Sequence, residues 1–302
     1  MGILKQYIVE FLSQHGFGCS VQTRMGLDII CVERMRRCVV PVDISAASTS
    51  QAGSEASVLT SLLQALEEDS LTPIVITEDR WMRQGEMMRA RLLAHLEEFT
   101  SVYARNCVVR KIDKGVAAAF LAENHSYGDA ACKYRYGLYL KRCTGKKAED
   151  SEGEALMAVA TFSNARKWQK GDKTIRSYEW TRYASLPGMR ISGGMGKMLK
   201  AFIKDVQPDD IMSYADLEWS EGKVYEQLGF VLEGKKEPVM FVVDGQWRRF
   251  PVKPGMTGDV KPGMTEDVKL GMTEDVEPGM TGDRFFQNRG SNKYRLKLTE
   301  YE

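Results

Sequence analysis

Two aspartates, one loop histidine and one glycine run are the residues of this 302-residue chain best suited to chemistry. Asp28 and Asp43 belong to the β-rich stretches LDIICVE (27–33) and RCVVPVDIS (37–45). Carboxylates at the ends of neighbouring strands offer hard oxygen ligands to Mg²⁺, which would activate water and neutralise charge on a phosphate. No lysine or histidine lies near them in the sequence, so the hydrolytic set reads as incomplete. His125, one of three histidines, lies in a polar loop beside Tyr127 and is the best general base on side-chain chemistry alone. Asp216, at the end of a strand-like run, can orient that histidine or bind a substrate amine. In RISGGMGK (190–197) the glycines precede a helix-like stretch, and consecutive backbone N–H groups there can cradle phosphate. A Walker A loop is excluded, because Ile191 sits where its first glycine belongs and Met198 where Ser or Thr belongs. Each feature has a plainer competing reading: a loop histidine, an aspartate capping a helix, an ordinary strand-to-helix turn.

These residues need elements to hold them. Residues 2–14 place Ile3, Tyr7, Ile8, Phe11 and Leu12 on one helical stripe. The two β-rich stretches can form a hairpin, a helix follows near 55–67, then the strand TPIVIT (72–77) and a charged helix over 80–97. That order predicts a small α/β unit over residues 1–103. A second module, 104–302, opens with a strand at 105–113 and a helix near 115–123. Strands follow at 136–142, 155–162 and 177–185, then the glycine loop, a helix at 198–206, a strand at 211–217, a helix at 223–230 and a strand at 238–245.

With 42 basic and 41 acidic residues the chain looks neutral, but residues 252–283 are four octads (VKPGMTGD, VKPGMTED, VKLGMTED, VEPGMTGD) carrying −4, which leaves +5 on the remainder. That excess fits a nucleic-acid partner without requiring one. Pro-Gly or Leu-Gly in every octad punctuates helix and strand, so the array reads as an exposed insertion in a loop. Two basic stretches interleave with aromatics: Lys133, Arg135, Lys141 and Arg142 with Tyr134, Tyr136 and Tyr139; and Arg166, Lys167, Lys170, Lys173 and Arg176 around Trp168. Either set can contact phosphates while its rings stack on bases, or form a solvated sheet edge. No apolar run is long enough to span a bilayer, and no signal-peptide pattern opens the chain. The six cysteines show no CxxC pair, which points to buried free thiols and a reducing, cytoplasmic location.

Strand, glycine loop, helix, strand and then Val224-Tyr225-Glu226-Gln227-Leu228-Gly229-Phe230 together resemble the second half of the GNAT acyltransferase fold. More narrowly, Asn124-His125-Ser126-Tyr127-Gly128, Tyr136-Gly137-Leu138-Tyr139, Thr181-Arg182-Tyr183, Gly193-Gly194, Ser213-Tyr214-Ala215-Asp216 and Gly222 with Tyr225 look like the phage Mom-type DNA-modification branch, across about residues 105–250. The first module resembles the nuclease half of Vsr-like homing endonucleases through Leu27-Asp28-Ile29, Val42-Asp43-Ile44, residues 76–81 and residues 102–107.

The resemblance implies an α/β chain of two modules, a degenerate Vsr-like nuclease fold followed by a GNAT-like mixed-sheet transferase that acts on a nucleic-acid base, most simply of DNA. It implies an acyl-CoA-type donor held by Arg190, Gly193, Gly194, Gly196 and Lys197, with Tyr225 as the acid and His125, Tyr127, Arg182 and Asp216 around the reacting atoms. Arg190 falls one position early for the family's usual pattern, and Gly196 precedes Lys197 where Mom-like relatives carry a small hydroxyl residue. In the first module Ser45 replaces the lysine a restriction-type site wants two residues after Asp43. Mg²⁺ at Asp28 and Asp43 is therefore expected only if that module cleaves. The alternatives are a metal-dependent endonuclease whose second module positions DNA, and a noncatalytic DNA-binding protein.

Overall fold

The computed structural model describes residues 3–141, 154–220, 222–252 and 284–301. Arg142, Cys143 and the octads beyond Val252 lie outside the described residues. The first module runs α1 (Ile3–Gln14), β1 (Cys19–Arg24), β2 (Leu27–Val32), β3 (Arg37–Val42), α2 (Thr49–Glu68), β4 (Thr72–Thr77), α3 (Glu78–Arg83) and α4 (Gly85–His95). Its sheet has the order β1-β2-β3-β4, antiparallel except for the parallel pair β3 and β4, which the crossover helix α2 connects. Alternation along the strands divides the core. Ile30, Val39, Ile74 and Ile76 face α1 and α4, while Ile29, Cys38, Val40 and Val75 face Leu59, Leu62, Leu63 and Leu66 of α2.

Two boundaries differ from the sequence expectation. The helix expected near 55–67 starts at Thr49, because the Ser48 hydroxyl accepts the Gln51 N–H at 3.2 Å and caps a Ser/Ala-rich stretch that reads as a turn. The single charged helix over 80–97 is two helices, broken at Gln84, whose ψ of 38° is not helical.

Strand β5 (Thr100–Tyr103) ends the first module, and the second contributes β6 (Cys107–Lys111), α5 (Lys114–Asn124), β7 (Tyr134–Leu140), β8 (Leu156–Phe162), β9 (Arg166–Lys170), β10 (Lys173–Ser185), β11 (Met189–Ser192), α6 (Gly194–Val206), β12 (Asp210–Asp216), α7 (Lys223–Gln227) and β13 (Val231–Lys236). Four more strands follow: β14 (Met240–Val243), β15 (Arg249–Pro251), β16 (Arg284–Gln287) and β17 (Ser291–Lys297). The main sheet has the order β13-β17-β12-β10-β8-β7-β6, with β9 paired to the start of β10. Helix α6 covers one face with Met198, Leu199 and Phe202, and the Phe202 ring stacks on Phe162 at 3.8 Å. Helix α5 covers the other with Ala117, Phe120 and Leu121.

The strand expected at 238–245 is β14, which lies in a separate three-stranded sheet, β15-β14-β16, inserted between β13 and β17. Ile44, Val243 and Phe286 form a small core there, and Ala46 bridges Phe285, so the insertion packs against the first module. Strand pairing also crosses residue 103, since β5 runs parallel to β11. No helix among the described residues is long and apolar enough to cross a membrane.

Candidate active site

Strands β10 and β12 are parallel neighbours at only three positions, Ser177 to Asp210, Tyr178 to Ile211 and Glu179 to Met212. Beyond these, β10 keeps β8 and β12 keeps β17, but the two lose each other; a register shift between Trp180 and Arg182 marks the place. Backbone groups facing the gap are left without ladder partners across it, a ready surface for an extended ligand. The gap widens into a cleft of about 1240 Å³, lined by residues 179–186 of β10 and its following turn, 213–216 of β12, 193–196 at the start of α6, 124–127 after α5, and Tyr225. The first module supplies a wall through Met87, Ala90, Arg91 and Ala94 of α4.

Gly193 caps α6 with φ of 77°, a left-handed conformation that glycine adopts at little cost. A Cβ on Gly194 would lie 3.0 Å from Ile191 Cγ2 and 3.2 Å from the Tyr183 hydroxyl, so the close turn needs a glycine there too. The first N–H groups of a 13-residue helix thus open onto the cleft, where the helix dipole favours an anion. Arg190 stands exposed at the rim, its guanidinium 5.0 Å from the Phe99 ring centre. Lys197 is not brought to the cleft. Its ammonium donates to the carbonyls of Ala104 (2.8 Å) and Cys107 (2.6 Å), which ties α6 to the start of β6 instead of to a ligand.

Tyr225 stacks on Tyr294 at 5.3 Å and meets Trp180 and Phe230 edge-on, and its hydroxyl lies 2.9 Å from Ser213 Oγ. Burial pushes its pKa up, which keeps the phenol protonated. Gly222 sets the position of α7: its φ is 85°, and a Cβ there would meet the Tyr294 ring at 2.4 Å.

His125, Tyr127, Arg182 and Asp216 also line this cleft. His125 ends α5, and its Nδ1 accepts the Tyr127 N–H at 3.1 Å, so a neutral ring carries its proton on Nε2 and offers a donor. Burial, with Arg182 and Arg80 nearby, lowers its pKa to about 3. The Tyr127 hydroxyl donates to Asp216 Oδ2 at 2.7 Å and accepts from Arg80 at 3.1 Å. Arg182 donates to the carbonyls of Gly128 (3.0 Å) and Thr181 (2.8 Å), bracing the loop after α5. Burial and the neighbouring Glu218 raise the Asp216 pKa, against the pull of Arg80.

Sequence reasoning missed the ion cluster behind these residues. Arg80 reaches Glu218 at 3.2 Å, and Arg249 reaches Glu218 at 2.7 Å and Asp79 Oδ1 at 3.0 Å. Arg91 donates to the Glu218 carbonyl, its guanidinium 4.4 Å from the Trp219 ring centre. The partners lie up to 170 residues apart in the chain, so no local spacing announces them.

Asp28 and Asp43 are outside the cleft. Lys5 from α1 bridges Asp28 at 2.7 Å and holds its pKa down, with Thr23 donating at 3.0 Å. Burial and then Asp28 raise the pKa of Asp43. Among the described residues no three His, Cys, Asp or Glu side chains gather as a metal would need. One carboxylate neutralised by an ammonium and one alone do not fit Mg²⁺. The basic stretch at 133–142 is corrected as well. Tyr134 and Tyr136 pack edge-on against Phe202, and Tyr136 is only 3% exposed, so these rings are core and not a platform for bases.

No family model matches the chain, and no curated protein matches it. Among solved structures, a Bacillus subtilis acetyltransferase in complex with CoA aligns with 64% of this chain and 99% of its own, at 13% identity and a TM-score of 0.30. A KacTA-DNA complex aligns over 42% of this chain and 86% of its own, at 18% identity and a TM-score of 0.29. Both scores are too low to assign fold or function, so the roles below rest on the geometry of this chain.

Proposed function

We propose that the chain is a GNAT-like acyltransferase that takes an acyl group from acyl-CoA and moves it to an amine, with an amino group of a nucleic-acid base as the acceptor. The observation that carries this reading is the opening between β10 and β12, with a helix N-terminus at one end and the Tyr225 hydroxyl on its wall. An extended thiol ester fits between the strands, and its pyrophosphate fits the N–H groups of residues 194–196, with Arg190 at the rim. Acyl-CoA supplies an activated carbonyl. The acceptor nitrogen bonds to that carbon as the C–S bond breaks; the amine proton goes to Asp216, and the thiolate takes a proton from Tyr225. Asp216 suits the base role better than His125, because its raised pKa favours accepting a proton whereas an imidazole held near pKa 3 resists one. His125 then presents its Nε2 proton to the acceptor, and Tyr127 with Arg80 orients Asp216.

The first module, a mixed sheet between α1 with α4 and α2, supports the resemblance to a Vsr-like nuclease fold. Ser45 and the Lys5 bridge to Asp28 favour a form that does not cleave. Its α4 wall makes it part of the transferase cleft.

The test is mass spectrometry of nucleosides from DNA of cells expressing the protein, beside calorimetric titration with acetyl-CoA. Acyl-CoA binding and a nucleoside of acyl-shifted mass are expected. Tyr225→Phe should lower modification by about 10²-fold or more with donor binding retained, the pattern of a lost proton transfer. Absence of donor binding together with unmodified DNA would sink the reading.

A further inference from the structure

The ribbon formed by β9 and the first half of β10 lies away from the cleft and has no part in the chemistry above. It spans Arg166 to Ser177 in antiparallel register, turning at Gly171 and Asp172. Two of its five facing pairs oppose cation to cation: Lys170 to Lys173 and Lys167 to Arg176. Like charges directly across a strand pair are destabilising. Arg176 is relieved, since it meets Asp209 at 3.2 Å and donates to the Gln207 carbonyl. Arg166, Lys167, Lys170 and Lys173 are exposed, and none of them meets a carboxylate among the described residues; the ammonium of Lys173 reaches only the Glu300 carbonyl, at 3.4 Å.

The ribbon is nonetheless firmly built. Ile175 is 3% exposed, and Trp168, its cross-strand partner, rests edge-on against Tyr301 at 5.5 Å. That ring is spent on packing, so the ribbon offers charge and not a stacking surface.

We propose that this ribbon binds the phosphate backbone of a nucleic-acid duplex without reading its sequence. A two-stranded ribbon fits the major groove, which is about 12 Å wide. Alternation puts Arg166 and Lys170 on one face and Lys167 on the other, so cations point to both walls of a groove, whereas a flat anionic surface would meet one face only. A polyanion also relieves the unpaired opposition of Lys170 and Lys173, which the fold alone leaves uncompensated. The choice of nucleic acid as partner agrees with the proposed acceptor, but the binding itself needs no acyl transfer.

The experiment uses the full chain and a mixed-sequence duplex of about 30 base pairs, with fluorescence anisotropy between 50 and 200 mM salt. The variant carries Lys167→Gln, Lys170→Gln and Lys173→Gln. Binding should weaken, and the slope of log affinity against log salt should become shallower by about 2 to 3, at roughly 0.9 per lost phosphate contact. The loss should be equal for a scrambled duplex, acetyl-CoA titration should be unchanged, and the melting temperature should hold or rise as the like-charge pairs vanish. If the triple variant does not fold, Lys170→Gln alone should shift the slope by about one. Affinity and slope equal to those of the unaltered protein overturn the proposal. So does a protein that binds phosphatidylserine vesicles through these lysines and no duplex.

Discussion

His125 shows at the scale of one residue how burial redirects a side chain that looks like a general base. Its Nδ1 is committed to the Tyr127 N–H, and burial with Arg182 and Arg80 holds the ring neutral, with a pKa near 3. The unfolded chain takes up a proton near pH 6.5, while the native state refuses it until far lower. The stability that this residue contributes is therefore complete above about pH 6.5 and is lost as the pH falls toward 3. His125→Asn keeps an oxygen able to accept the Tyr127 N–H but removes the titration. Between pH 7 and 4.5 the variant should lose less stability in urea unfolding than the unaltered protein, by about 1 to 2 kcal/mol, allowing for partial exposure of the ring. Equal losses would show that the imidazole does not sense the buried charges. The sequence made His125 conspicuous through its rarity; the hydrogen bond that fixes its tautomer depends on the turn after α5, which no spacing reveals.

At the scale of elements, legibility followed burial. Strands β2, β3, β4, β8 and β12 carry apolar residues on buried faces, and each stands out in the sequence. Strand β13 is a sheet edge, with Val231 71% exposed and two lysines in VLEGKK, and β17 reads SNKYRLK. Both are held by backbone pairing and by ion pairs such as Arg295 with Asp210 (2.7 Å), so hydrophobic period gives no sign of them. The inserted sheet hid for a related reason, because its outer strands β15 and β16 are far apart in sequence and meet only across β14. Both run antiparallel to β14 and so parallel to each other: the chain leaves β15 beside Met240 and enters β16 beside Val243, at the opposite end of β14, so the connection must cross the sheet. A Gly/Ser linker of about 15 residues in place of residues 253–283 is long enough for such a crossover, and a shorter connection costs no more loop-closure entropy than the native one. The linked protein should melt within a few degrees of the unaltered one in a thermal scan. Loss of soluble folded protein would mean that the octads support the fold.

At the scale of the whole molecule, Arg249 holds three parts of the chain on one guanidinium: β15 in the insertion, Thr77 and Asp79 around the start of α3, and Glu218 after β12. Its side chain is 10% exposed, and those of Asp79 and Glu218 are 2% and 3% exposed. Burial by itself would raise the Glu218 pKa, but Arg249 and Arg80 outweigh it and hold the carboxyl at about 2. Removing one partner of such a set leaves buried charge uncompensated, which costs about 3 to 5 kcal/mol, far more than the net worth of the pairing. Arg249→Met keeps most of the side-chain volume and should destabilise the protein by that amount in urea unfolding at pH 7. Adding Asp79→Asn should recover part of the loss, since it removes one stranded charge, and the double-mutant cycle reads the coupling directly. Because Glu218 also meets Arg80, which donates to Tyr127 beside Asp216, Arg249→Met should in addition weaken the proposed acyl transfer in protein that remains folded. A cost below about 1 kcal/mol, the range of exposed ion pairs, would show that the insertion is an appendage and not the clamp that joins the first module to the cleft.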